Sequence, residues 1–161
     1  MASPKKKKVI PSPTICENRR ARRNYDLGET LEAGLVLVGS EVKACRQGKA
    51  HLNDAYILER KGELFLMNAH IAEYSHTGPF FTHESQRERK LLLHRREIEK
   101  VGRKLNEKGL AGVPLALYFK CGYVKLKFAL GKGRSHQDRR EVVKERETQR
   151  ELSRVIRKGS R

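Results

Sequence analysis

The thirty-one residues from Gly131 to Arg161, GKGRSHQDRREVVKERETQRELSRVIRKGSR, set the strongest limit on what this chain can fold into. They hold eleven Lys or Arg against five Asp or Glu, and their only sizeable apolar side chains are Val142, Val143, Leu152, Val155 and Ile156. That is too little apolar surface to offset the entropy of ordering the segment, so a basic tail disordered when free is expected over 131–161. Leu152, Val155 and Ile156 nevertheless fall at i, i+3, i+4, one face of a helix. A segment unfolded alone but able to form a one-sided helix is suited to folding on a polyanion, and RNA is the first such partner to consider.

The whole chain of 161 residues has a formal net charge of +17 and a sequence pI of about 10.2. Charge of this size says nothing about fold but favours association with phosphate backbones. No apolar run approaches the roughly 20 residues needed to span a bilayer, and no apolar signal-peptide region follows the N-terminal lysines. Nucleic acid is therefore the expected partner, and a membrane is not. Cys16, Cys45 and Cys121 are odd in number and widely spaced, which reads as free thiols rather than a disulfide framework or a zinc site.

Residues 1–17 read as a disordered basic arm, with Lys5 to Lys8 in a row and Pro11 and Pro13 after them. PKKKKV also has the look of a nuclear localisation signal. The ordered core is expected over 18–130. Ala33 to Gly39 reads as a buried strand, Glu41 to Gln47 as a short helix stopped by Gly48. Two hairpins are expected: Ala55–Glu59 with Glu63–Asn68 across Lys61-Gly62, and Val113–Lys120 with Tyr123–Leu130 across Cys121-Gly122. In the last strand Tyr123, Lys125 and Lys127 alternate with Val124, Leu126 and Phe128, giving one basic and one buried face. The clearest helix takes its apolar stripe from Leu91, Leu92, Leu93, Ile98, Val101 and Leu105, a basic opposite face from Arg95, Arg96, Lys100, Arg103 and Lys104, and a stop at Lys108-Gly109. The sum is a mainly β fold: a small closed antiparallel OB-like β-barrel with about three helices.

Asn18 to Tyr25 holds Arg19, Arg20, Arg22 and Arg23, whose forked donors suit phosphates and whose planes stack on bases. Lys43, Lys125 and Lys127 add cationic contacts on the core. Glu32 and Glu41 sit in basic or apolar surroundings. Each can accept from a base amino group or a ribose hydroxyl, but an internal salt bridge is the better reading from the residues alone. His51, His70, His76, His83, His94 and His136 show no ligand spacing, and structural or surface roles are expected for them. There is no GxSxG, HExxH, P-loop or dinucleotide fingerprint, so no enzyme, no catalytic residue, no metal and no cofactor is expected. A ribosomal or general rRNA-binding structural protein is the alternative that charge, barrel and tails leave open.

NRRARRNY at 18–25, LEAG at 31–34, GSEVKACRQGKAHL at 39–52, NAHIAEY at 68–74, RERKLLLHRREI at 87–98, the run from 109 to 133 and DRRE at 138–141 together resemble the small protein B family, the SsrA-binding proteins. The resemblance covers about residues 18–161. It implies binding to the tRNA-like domain of transfer-messenger RNA (tmRNA, or SsrA RNA) in the bacterial cytoplasm. It implies delivery, with elongation factor Tu and the aminoacylated RNA, to the empty A site of stalled ribosomes, and peptide tagging by trans-translation. By position it implies RNA contacts at Asn18, Glu32, Leu92 and His94 and at the basic motif of Arg19, Arg20 and Arg22. Lys132, Arg134, Asp138, Arg139 and Arg140 match the motif used in the ribosomal decoding centre and mRNA channel. Where the family often has Asn, this chain has His94. Arg23 replaces a usual His, and Gln137 stands where His or Tyr precedes the Asp, with His136 one place earlier.

Overall fold

The computed structural model describes residues 14–74, 83–107 and 109–159, and shows a mainly β chain with four helices. In chain order the elements are β1 (Thr14–Glu17), α1 (Ala21–Asn24), β2 (Tyr25–Leu35), α2 (Gly39–Arg46), β3 (Ala50–His51), β4 (Tyr56–Arg60), β5 (Glu63–Met67), β6 (His70–Ile71), β7 (Arg89–Leu92), α3 (Arg95–Asn106), β8 (Leu110–Lys120), β9 (Tyr123–Gly133) and α4 (His136–Gly159). The main sheet runs β1-β8-β4-β5-β7-β2-β9, all antiparallel, and β8 also pairs with β9 along its whole length. The opposite edge of β8 meets β4 at Gly112 and β1 from Ala116 to Tyr118. β3 and β6 form a separate two-stranded ribbon.

Both expected hairpins form, and their turns show why the residue pairs were informative. Lys61 and Gly62 have φ of 52° and 74°, Cys121 and Gly122 of 51° and 82°. Positive φ at both central positions is the turn whose twist matches the flanking strands, and it favours glycine second. In β9 the period of two is also realised: Val124, Leu126 and Phe128 are buried while Tyr123 and Lys127 are exposed. The core gathers these with Leu52, Leu64, Leu66, Leu91, Val101 and Leu117. β4 crosses β8 so closely that a Cβ on Gly112 would lie 2.6 Å from the Cβ of Ile57.

Several expectations are corrected. The N-terminal arm does not extend to residue 17, because Thr14–Glu17 pairs with β8 as β1; Lys5 to Lys8 lie outside the described residues. The strand expected over Ala33–Gly39 ends at Leu35, and Val36 and Val38 are each 45% exposed. Leu91 and Leu92 belong to β7 rather than to the helix, since β7 pairs with both β5 and β2. Helix α3 starts only after His94, whose N–H donates to Glu97 Oε2 at 3.1 Å. A glutamate at this third position satisfies a donor that the helix start leaves open. At its far end Lys108 lies outside the described residues, while Gly109 takes a φ of 85° just past the helix, the conformation a helix stop favours.

The core boundary also moves. β9 continues to Gly133, with Gly131, Lys132 and Gly133 registered against Leu27, Asp26 and Tyr25, so the core reaches past residue 130. Beyond it, His136–Gly159 is the helix α4, the helical form expected of the tail on a partner. Its Arg, Glu, Lys and Gln lose little rotamer freedom in a helix, and Glu141/Lys144 and Glu147/Arg150 sit at i, i+3. Leu152 on α4 is 56% exposed.

A candidate nucleic-acid interface

The outward side chains of four adjacent strands make one surface. Register aligns Leu92 of β7 with Gly34 of β2, Gly34 with Lys125 of β9, and Lys125 with Tyr118 of β8. The next outward row aligns Glu32 with Lys127 and Lys127 with Ala116. Lys120 sits opposite Tyr123 on the same side. Strand alternation thus puts Lys120, Lys125 and Lys127 on one face with Tyr118, Tyr123 and Leu92, with the carboxylate of Glu32 among them and that of Glu17, opposite Ala116 on β1, at its edge. Leu92 is 52% and Tyr123 73% exposed, unusual for large apolar and aromatic side chains unless a partner covers them.

Glu32 is held firmly. The Tyr118 hydroxyl donates to Oε2, and Lys120 Nζ lies 2.9 Å from Oε1 and 3.0 Å from Oε2. The Tyr118 hydrogen bond, then that from Lys120, keeps the Glu32 carboxyl below its ordinary pKa. Tyr118 is pushed up, by burial first and by its bond to Glu32 second. The internal partner expected for Glu32 is therefore present.

Glu41 also has the internal salt bridge expected of it. It is fully buried, with Oε1 2.8 Å from Arg89 Nε and Oε2 2.5 Å from Arg87 Nη2, and the Val38 N–H donates to Oε2 at 2.9 Å. Burial pushes its pKa up, but the Arg87 and Val38 hydrogen bonds and the two guanidinium charges outweigh it, so the group stays ionised. This carboxylate ties α2 to β7 and does not face a ligand.

Asn18 is buried rather than on the surface. Its side-chain nitrogen donates to the carbonyls of Leu52 and Pro114, each at 3.1 Å, and its oxygen accepts from the Ala21 N–H at 3.2 Å. It anchors the turn that displays the arginines, and Arg19, Arg20, Arg22 and Arg23 are all exposed. Arg19, Arg22 and Lys127 line a groove of about 1000 Å³, with Gln149, Arg150 and Ser153 of α4 across from them. Lys43 is exposed on α2 but lies over the Tyr74 ring, 5.4 Å from its centroid, apart from the row of lysines. His94 is exposed at the start of α3, two residues after Leu92.

Of the tail residues, Lys132 is exposed on β9 and Arg140 is exposed on α4. The Arg134 N–H donates to the Asn24 carbonyl at 2.9 Å and its guanidinium reaches Asp26 at 3.5 Å. His136, Asp138 and Arg139 fall in the first turn of α4, and their side chains lie outside the described ones. Of the histidines, His83 is buried between Ser40 Oγ at 2.9 Å and the Ile71 carbonyl at 3.1 Å, and His51 stacks on His70 with centroids 4.5 Å apart. His76 lies outside the described residues. Sequence reasoning placed Tyr123 on this face but missed Tyr118 and Lys120. Their alternation with Leu117 and Phe119 was the signal that could have found them.

Comparison with known proteins agrees with this geometry. The family model described as SmpB protein matches residues 15–158. The chain is 50% identical over 142 residues to the SsrA-binding protein of Trichormus variabilis, covering 88% of this chain and 92% of that protein. It is 50% identical over 144 residues to the SsrA-binding protein of Myxococcus xanthus, covering 89% and 88%. A solved structure described as "tmRNA-SmpB: a journey to the center of the bacterial ribosome" superposes with a TM-score of 0.65 at 39% identity, over 82% of this chain and 95% of the other. With a family model spanning nearly its whole length and close relatives covering most of it, the chain belongs to the SmpB protein family.

Proposed function

We propose that this chain binds the tRNA-like domain of transfer-messenger RNA and brings it to the empty A site of stalled ribosomes, so that the nascent peptide is tagged for proteolysis. The observation that carries the reading is the outer face of β7, β2, β9 and β8, where Lys120, Lys125 and Lys127 surround Glu32 beside exposed Leu92 and Tyr123. Lysines on a rigid sheet meet phosphates, apolar and aromatic groups meet bases or ribose, and the fixed Glu32 carboxylate selects an amino or hydroxyl donor. His94, at the same edge as Leu92, and the arginines of the α1 turn extend the contact. Asn18 serves it indirectly, through the turn it fixes.

The pairing of β8 with both β4 and β9 supports reading the sheet as a closed OB-like barrel, a fold whose strand faces take up oligonucleotides. The names of the relatives support tmRNA as the ligand. We assign Lys132, Arg134, His136, Asp138, Arg139 and Arg140 to the decoding centre, and α4, with Leu152 exposed on it, to the mRNA channel. Elongation factor Tu with the aminoacylated RNA completes the complex, and the setting is the bacterial cytoplasm. The test is translation of an mRNA lacking a stop codon in a reconstituted system with tmRNA. Tagged peptide should form only when this chain is added. Tagging that proceeds equally without it, or tight binding to rRNA alone with no tagging, would replace this reading with a general rRNA-binding role.

A further inference from the structure

Glu32 is a carboxylate in a cationic face, and against RNA phosphates it is repulsive. It contributes to recognition only by accepting from a base amino group or a ribose hydroxyl, and that requires a fixed direction. Two groups restrain it, and they differ in kind. Lys120 Nζ sits 2.9 and 3.0 Å from the two oxygens, and it carries a charge that an approaching phosphate attracts. The Tyr118 hydroxyl, which donates to Oε2 from across β9, is neutral. An incoming phosphate therefore draws Lys120 away while the phenol keeps its hold, since nothing in a phosphate diester attracts it more than the carboxylate does.

We propose that Tyr118 is a positioning residue that aims the Glu32 carboxylate at the RNA, and that Lys120 covers the carboxylate in the free protein and moves to a phosphate on binding. The proposal rests on the reading that this outer face binds the tRNA-like domain. With Tyr118 in place, RNA meets an acceptor already oriented, so little side-chain entropy is lost on forming the contact.

The experiment compares Tyr118→Phe, Glu32→Gln, the double variant and Lys120→Ala in binding to a tRNA-like fragment of tmRNA and to an ordinary elongator tRNA, across a salt series. Tyr118→Phe should lower the preference for the fragment by about five- to tenfold, the effect of one lost hydrogen bond. Its thermal midpoint and salt slope should match those of the parent chain. Glu32→Gln should lower the preference at least as far, and the double variant no further than Glu32→Gln alone. Lys120→Ala should keep the preference and reduce the salt slope by about one. If Tyr118→Phe weakens both RNAs equally, or subtracts its full factor in the Glu32→Gln background, Tyr118 acts independently of Glu32 and the positioning role is overturned. An unchanged slope in Lys120→Ala overturns the displacement step. If the parent chain itself shows no preference, the outer-face reading falls first and Tyr118 with it, an outcome distinct from failure of Tyr118→Phe alone.

Discussion

Glu41 on α2 and Arg89 on β7 form a salt bridge at 2.8 Å in which both side chains are fully buried. Arg89 gives three of its four remaining donors to the carbonyls of Ala69, Arg87 and Ser85, so neither charge is left unpaired. Two buried charges are tolerated only on these terms, and removing one partner exposes the other to the full desolvation penalty.

Replacing Glu41 with Gln should therefore destabilise the fold by about 3–5 kcal/mol at pH 7, measured by urea unfolding. The pH dependence has a definite sign. The folded-state pKa of Glu41 lies below its ordinary value of 4.5, so its contribution is complete above that value and is lost as the pH falls through the folded one. The gap between the parent chain and Glu41→Gln should accordingly narrow in acid. A gap that stays constant from pH 7 to pH 3 would show that the charge is not what stabilises this contact.

At Gly112 the close crossing of β4 over β8 leaves no room for a side chain, since an added Cβ would lie 2.6 Å from that of Ile57. Gly112→Ala should cost about 1–3 kcal/mol by overpacking. Thermal unfolding checks this, and an unchanged midpoint would mean that β4 and β8 separate freely.

The three thiols should react unequally. Burial raises Cys16 and Cys45 to a pKa of about 11, leaving about 0.1% thiolate at pH 8, whereas Cys121 is exposed in the β8–β9 turn. Alkylation of the folded protein followed by mass spectrometry should label Cys121 first and leave the other two nearly untouched. Equal labelling of all three would contradict the burial described here.

How much of this was legible in the sequence depends on how local each cause is. The two hairpins were readable because Lys61-Gly62 and Cys121-Gly122 carry their turn geometry within two residues. The basic and buried faces of β9 followed from alternation alone. Leu91 and Leu92 were misplaced because their run is continuous with the stripe of α3, while pairing with β5 and β2, distant in sequence, makes them a strand. Thr14–Glu17 was missed for the same reason, as the strand it pairs with, β8, is distant in sequence. Asn18, expected at an RNA contact, is buried through hydrogen bonds to the distant Leu52 and Pro114 carbonyls, which no local pattern announces. The Tyr118–Glu32 bond joins residues 86 apart in sequence and has no local signature.

The tail and the core should separate functionally. Replacing Asp138, Arg139 and Arg140 together with Ala should leave affinity for free tmRNA within about twofold, if the decoding-centre role proposed for them is separate from that of the outer sheet face. Peptide tagging in a reconstituted system should be abolished. Loss of free-RNA binding in this variant would contradict the division of labour between face and tail.

Lys127 joins the outer face to the groove beneath the α1 arginines, so it should act as a phosphate contact. Lys127→Ala should weaken specific and non-specific RNA alike and lower the salt slope by about one. A loss confined to one RNA would recast it as a base-reading residue.

The most direct measurement is the affinity of the intact chain for the tRNA-like fragment of tmRNA against an elongator tRNA, across a salt series. A face that recognises folded RNA by shape and a directed carboxylate predicts a preference on the order of 100-fold or more that survives added salt. Equal binding of both RNAs, fading together as salt rises, would reduce the interaction to counterion release and contradict the account.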